Sequence, residues 1–304
     1  MTILVSGSLA FDSISTFPGR FAEQILPEQL HILNVSFLIP TLRREFGGCA
    51  GNIAYTLAQL GEKPVVTAAV GDDGIDYVAR LQSFGVDVSA VLIDRDSRTA
   101  QAFIITDRDN NQITAFHPGA MEQSHRIALP TTGSRLTVGI VGPDGREAML
   151  TRAQQLHDAH VPFVFDPGQG LPMFDGDALR RFIALATWIA VNDYEGKMLC
   201  DRVGLTLSEL SAMPHVRGVV MTLGAQGCEI WQQGERLTLG GHVAKAVVDP
   251  TGCGDAFRAG LLFGLHCAWP LERSCALGNQ LGALKIAHRG GQSHVLDVAT
   301  LPLR

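Results

Sequence analysis

Leu136-Thr137-Val138-Gly139-Ile140-Val141 is a short apolar, β-branched run, and a helix-forming stretch at 146–157 and a second apolar run at 162–165 follow it. The alternation then continues. Residues 177–186 read as helix, 188–191 as strand, 194–200 as helix and 218–223 as strand. Apolar strands separated by helices build parallel βαβ units, in which a strand buried on both faces shows no polar alternation. The expected fold class is therefore α/β, a doubly wound, mostly parallel sheet flanked by helices. A hairpin at 228–239 and two helices, 252–267 and 271–288, close the chain.

Working outward, Ile3-Leu4-Val5-Ser6-Gly7-Ser8 reads as a first buried strand ending in a glycine turn. Residues 48–60 suit a helix closed by Gly61, 64–70 a strand and 73–84 a helix. Two stretches break the pattern. Residues 13–46 are of mixed character and contain the strand-like Asn34-Val35-Ser36-Phe37-Leu38-Ile39. Two β-rich runs, 98–106 and 111–117, surround Asp107-Arg108-Asp109-Asn110, a hairpin signal. These pieces are expected to form a small separate sheet, residues 13–46 and 98–118. The α/β core would comprise 1–12, 47–97 and 119–304.

The bulk numbers exclude more than they identify. With 46% hydrophobic residues, 18% charged and a net charge of −6 over 304 residues, the composition is that of an ordinary globular protein. No basic stripe points to nucleic acid. The longest apolar runs are too short to span a bilayer. Residues 1–10 lack the basic start and cleavage site of a secretory leader, so a cytoplasmic setting is expected. Six scattered cysteines without CxxC spacing are expected as reduced thiols, and no HExxH pattern suggests zinc.

The strongest chemical signal is Asp249-Pro250-Thr251-Gly252-Cys253-Gly254-Asp255, which opens an apolar helix. Its glycines allow close backbone approach, and the first-turn amides with the helix dipole attract an anion. A carboxylate placed there makes sense if Asp255 takes a proton from a substrate hydroxyl while the amides hold a phosphoryl group. An ordinary helix cap is the plain alternative. Three further segments stand at element ends: Gly47-Gly48-Cys49-Ala50-Gly51-Asn52, Asn192-Asp193-Tyr194-Glu195 and Thr222-Leu223-Gly224-Ala225-Gln226-Gly227. The first matches neither GxGxxG nor a P-loop. The last two follow strands, where open α/β sheets bind ligands. Asn192 and Glu195 suit either a hydrated Mg²⁺ or a helix cap.

In this order and on these elements, the four segments resemble the signatures of the ribokinase-like (PfkB) family of sugar and nucleoside kinases, over nearly the whole chain. The resemblance implies ATP-dependent phosphoryl transfer. Asp255 would be the base, and the amides of Gly252, Cys253 and Gly254 the anion hole. Ser8, Asp12, Gly48 and Asn52 would meet the sugar. Asn192, Thr222, Gly224, Gly227 and Asn279 would line the ATP site, with Glu195 holding Mg²⁺ through water. The small sheet would act as a lid and as the contact of a homodimer, and K⁺ beside the anion hole is a further expectation of the resemblance. The segments around residues 17–27, 34–38, 116–121 and 166–169 look like those of bacterial adenosine kinases. On that likeness adenosine is the expected acceptor, with Phe116 or Phe37 stacked on the base and Gln169 as a polar contact. Gly170 departs from the second Gln usual there. The alternatives are a ribokinase- or fructokinase-type sugar kinase and a non-catalytic nucleoside-binding protein.

Overall fold

The computed structural model describes residues 1–25, 34–109, 111–130 and 135–303. Asn110 and residues 26–33 of the stretch expected in the small sheet lie outside the described residues. Thirteen strands are formed among the described residues: β1 (Thr2–Ser6), β2 (Ala10–Thr16), β3 (Thr41–Gly47), β4 (Val65–Gly71), β5 (Asp87–Asp94), β6 (Ala100–Thr106), β7 (Gln112–His117), β8 (Leu136–Val141), β9 (Phe163–Phe165), β10 (Trp188–Asn192), β11 (Gly218–Thr222), β12 (Gly227–Gln232) and β13 (Glu235–Gly240). The helices are α1 (Phe21–Gln24), α2 (Cys49–Gln59), α3 (Ile75–Ser83), α4 (Arg146–Asp158), α5 (Gly176–Leu185), α6 (Asp193–Val203), α7 (Leu207–Ser211), α8 (Cys253–His266) and α9 (Leu271–Lys285).

Nine strands form one sheet in the order β13-β12-β11-β10-β9-β8-β1-β4-β5. It is parallel from β5 through β11, and β12 and β13 add an antiparallel hairpin at one edge. The doubly wound fold read from residues 136–223 is the fold observed. β1 and β4 are buried along their whole length, as central strands covered on both faces must be. Successive residues of β1 divide between two cores: Ile3 and Val5 pack with α2, α3, α8 and α9, whereas Leu4 packs with α4, α5 and α6.

The other four strands form a smaller sheet in the order β3-β2-β6-β7. The strand expected at residues 34–39 is not formed. Phe37 instead packs its ring 5.0 Å from both Phe17 and Phe21, and Pro40 has no amide to offer a ladder, so β3 begins at Thr41. β5 had no counterpart in the sequence reading; it pairs with β4 at the edge of the large sheet.

Candidate active site

Helix α2 starts directly beneath the smaller sheet. Gly48, its N-cap, has φ +82°, and a Cβ there would run into the Ser8 carbonyl, so no other residue fits comfortably. The Ser8 hydroxyl accepts a hydrogen bond from the Cys49 amide at 3.2 Å, and the Ser8 carbonyl accepts from Ala50 at 3.1 Å. Ser8 therefore fastens the start of α2. One turn on, the buried Asn52 donates from Nδ2 to Asp255 Oδ2 at 2.8 Å, and its Oδ1 accepts from Gln292 Nε2 at 3.1 Å. Its amide thus links Gln292 to Asp255, with one N–H and one lone pair still to spare.

Asp255 lies in the first turn of α8. The approach to that helix is held by Asp249, whose carboxylate accepts from Thr251 N at 2.9 Å and Gly290 N at 2.8 Å. Burial alone would raise the Asp249 carboxyl, but these bonds and the nearby Lys285 ammonium keep it below the usual range. Gly252 caps the helix at φ +77°, and a Cβ there would lie 2.9 Å from Gly291 Cα. At Gly254 a Cβ would meet only the Arg258 guanidinium, at 3.3 Å. The tight backbone approach therefore falls at Gly252. The Cys253 amide donates to Pro250 O at 3.1 Å, which leaves Gly252 and Gly254 as the better anion donors of the three expected.

Asp12 reaches the same place from the smaller sheet, where it pairs with Glu45 across β2 and β3. Removal from water, then the charges of Glu45, Asp255 and Asp249, raise its pKa to about 6. Asp255 is also raised to about 6, chiefly by burial, with Asn52, Arg258 and Lys285 opposing the shift. A base must be ionised to accept the hydroxyl proton. The acceptor kcat/KM should therefore fall as pH drops through about 6, by about tenfold per pH unit for each essential carboxylate. A pH profile of kcat/KM checks this. Asp12→Asn should make its acid limb shallower.

Behind Asp255 sits a buried ion cluster. Arg258, one turn along α8, makes a two-pronged bond to Asp166 at 2.9 and 3.0 Å and lies 3.9 Å from Glu195. Glu195 also accepts from the Asn192 amide at 2.8 Å, and Asn192 Oδ1 accepts from Glu195 N, a reciprocal cap on α6. Burial and Asp166 raise the Glu195 pKa, against the pull of Arg258. Asn192 pairs with Thr222 at the carboxyl ends of β10 and β11. Leu223 N donates to Gly227 O across the turn into β12, and Asn279 on α9 donates to Gly240 O at 3.2 Å. Thr222, Gly224, Gly227 and Asn279 thus gather around that turn. Phe116 and Gln169 stand exposed, on β7 and after β9.

Among the described residues, no group of three or more His, Cys, Asp and Glu side chains is arranged to hold a metal ion. The Asp166–Glu195 pair fits an ion carried mainly by phosphates and water, with Glu195 in its outer sphere, which is how Mg²⁺ prefers to bind. K⁺ fits less well. The carbonyls of Asp249 and His288, beside the segments that carry Gly252 and Gly291, already accept from Lys285 Nζ at 2.9 and 3.0 Å.

Sequence reasoning missed Arg258, Asp166, Gln292 and Lys285 as parts of this site. Arg258 did carry a signal, being a charge just ahead of the apolar run Ala259–Leu265 of α8. Arg258 also falls three residues after Asp255, on the same face. Gln292 carried none.

No helix among the described residues is long and apolar enough to cross a membrane. A family model described as pfkB family carbohydrate kinase matches residues 11–298. A nucleoside kinase from Methanocaldococcus jannaschii is 26% identical over 264 residues, 86% of each chain. A solved structure of a Burkholderia thailandensis nucleoside kinase in complex with inosine is 46% identical, superposes with a TM-score of 0.88 and covers 98% of this chain and 95% of that one. The adenosine kinase structure from Sinorhizobium meliloti, 21% identical with a TM-score of 0.75 over 98% of this chain and 97% of that one, shares the fold. With a family model that matches nearly the whole chain and a fold that agrees, this chain belongs to the pfkB family of carbohydrate kinases.

Proposed function

We propose that this kinase transfers the γ-phosphoryl group of ATP to a hydroxyl of a purine nucleoside, adenosine among them, in preference to free ribose or fructose. Asp255 takes the hydroxyl proton as the oxygen attacks the γ-phosphorus, and ADP departs. The amides of Gly252 and Gly254 meet the charge on the transferred group, the electrostatic part of the catalysis. A Mg²⁺ ion, when bound, neutralises the phosphates.

One observation carries the nucleoside reading. Asp12 pairs with Ala102 and Ala102 pairs with Phe116, so the three side chains share one face of the smaller sheet. Strand spacing puts Phe116 about 10 Å from Asp12, the reach from a ribose hydroxyl to the attached base. Its ring is 51% exposed and free to stack, whereas Phe37 is occupied by Phe17 and Phe21. The inosine complex of the Burkholderia thailandensis relative supports the same class.

ADP release with adenosine, inosine, ribose and fructose tests the reading, and a sugar used at least as well as either nucleoside overturns it. Stacking is worth about 1–3 kcal/mol per base, so Phe116→Ala should cost the nucleoside about 5–150-fold in kcat/KM. Any ribose activity should be unchanged. In this reading residues 13–46 and 98–118 act as the lid. Its other face exposes Leu42, Phe103 and Ile113, and we take a second copy of the chain to cover them, which light scattering checks by mass.

A further inference from the structure

Lys285 is the last residue of α9, and its side chain is fully buried. A buried ammonium is costly unless its protons are accepted. Here the acceptors are two main-chain carbonyls, Asp249 O and His288 O, at 2.9 and 3.0 Å. They belong to two different segments, the approach to α8 and the exit from α9. Val248 N and Asp249 N donate to Ile286 O, and Gly290 N donates to the Asp249 carboxylate, so the same two segments are laced together at several points. The ammonium sits in that seam. Gly252 packs on Gly291 within it, and Gln292, just beyond, holds Asn52, which holds Asp255.

We infer that Lys285 is a tethered monovalent cation that organises and charges the anion hole, so that this kinase works without K⁺. The charge takes two main-chain carbonyls, the kind of ligand a monovalent ion would need, in the seam where Gly252 meets Gly291. It also lies at a helix C-terminus, whose dipole favours a cation. Asp249, Cys253, Asp255 and Glu45 all feel it. An ion held by a covalent stem is never lost by dilution, and its ordering is completed when the chain folds. Lys285 acts through the loops and the field rather than on the reacting atoms, and is a positioning residue. The inference rests on the kinase reading for its rate arm only.

The purified chain is to be assayed in choline chloride and in about 100 mM KCl at matched ionic strength, with Mg·ATP and the best acceptor. The wild type should differ by less than about twofold, because its cation is built in. Lys285→Ala should lose about tenfold or more of kcat in choline, with KM for ATP moving less, and should recover part of it in KCl or NH₄Cl. Melting temperatures give a readout free of catalysis: KCl should stabilise the variant over choline and leave the wild type unmoved. More than about fivefold activation of the wild type by K⁺ overturns the inference, as does a folded variant indifferent to K⁺ in both assays. Should Lys285→Ala fail to fold, the wild-type comparison and Lys285→Met decide. A wild type inactive on every acceptor counts against the kinase reading, while the melting arm still judges the cation.

Discussion

Asp255→Asn is expected to lower kcat by about 10²–10⁴-fold, the usual contribution of a general base, while ATP binding and the fold survive. The substitution keeps the shape and the acceptor for Asn52 Nδ2, which now donates to Asp255 Oδ2 at 2.8 Å. It removes only the ability to take a proton. Stability should not suffer. A carboxyl whose pKa in the fold is raised to about 6 holds its proton more tightly folded than unfolded. Its ionised form therefore costs stability above that pH. A neutral amide removes that cost, and the variant should melt no lower than the wild type at pH 8. Retention of more than a tenth of wild-type kcat would place the base elsewhere.

Arg258→Met should give the largest loss of stability of any single change at this site. It leaves Asp166 and Glu195, both nearly buried, facing one another without their cation. Breaking a buried ion cluster from one side costs about 3–5 kcal/mol, or about 6–20 °C in Tm for a chain of this size. Because burial already raises Glu195, the deficit should shrink as pH falls and that carboxyl takes up a proton. Asp255 loses one of the charges that hold its pKa down, so the acid limb of the activity profile should move to higher pH. Thermal melts between pH 6 and 8 separate this from simple loss of packing, which has no such pH dependence.

The large sheet was legible because its strands declare themselves twice, by apolar runs and by the helices between them. β5 was missed although Asp87-Val88-Ser89-Ala90-Val91-Leu92-Ile93-Asp94 has strand composition. It follows α3 after a short turn, and the β-rich runs behind it drew the reading past it. The strand read at residues 34–39 failed for a tertiary reason: Phe37 gains more by joining Phe17 and Phe21 than an unpaired ladder offers. At the site, Asp255 and its glycines could be found because a turn, a cap and a carboxylate stand within seven residues. Arg258 to Asp166 and Asn52 to Asp255 are contacts across the fold, and one sequence holds no record of such pairings. Asn52 shows the limit of residue-by-residue reading: its place in the motif was legible, but not that its amide would link Gln292 to Asp255.

The pairing of β2 with β6 has a consequence for how the molecule assembles. Ala10 lies beside Ala100 in a parallel ladder, and the chain between them runs through α1, β3, α2, β4, α3 and β5. A parallel pair cannot close by a hairpin, so the small sheet has no local nucleus at its centre. Its register is set only after β4 and β5 have docked on β1 and carried residue 100 back alongside residue 10. Contacts this remote in sequence close slowly. The segment that carries Asp12 should accordingly be among the last to acquire slow amide exchange during refolding, after β1, β4 and β8. The face that carries Asp12 and Phe116 would then be assembled only once the β1–β4–β5 side of the large sheet is already standing.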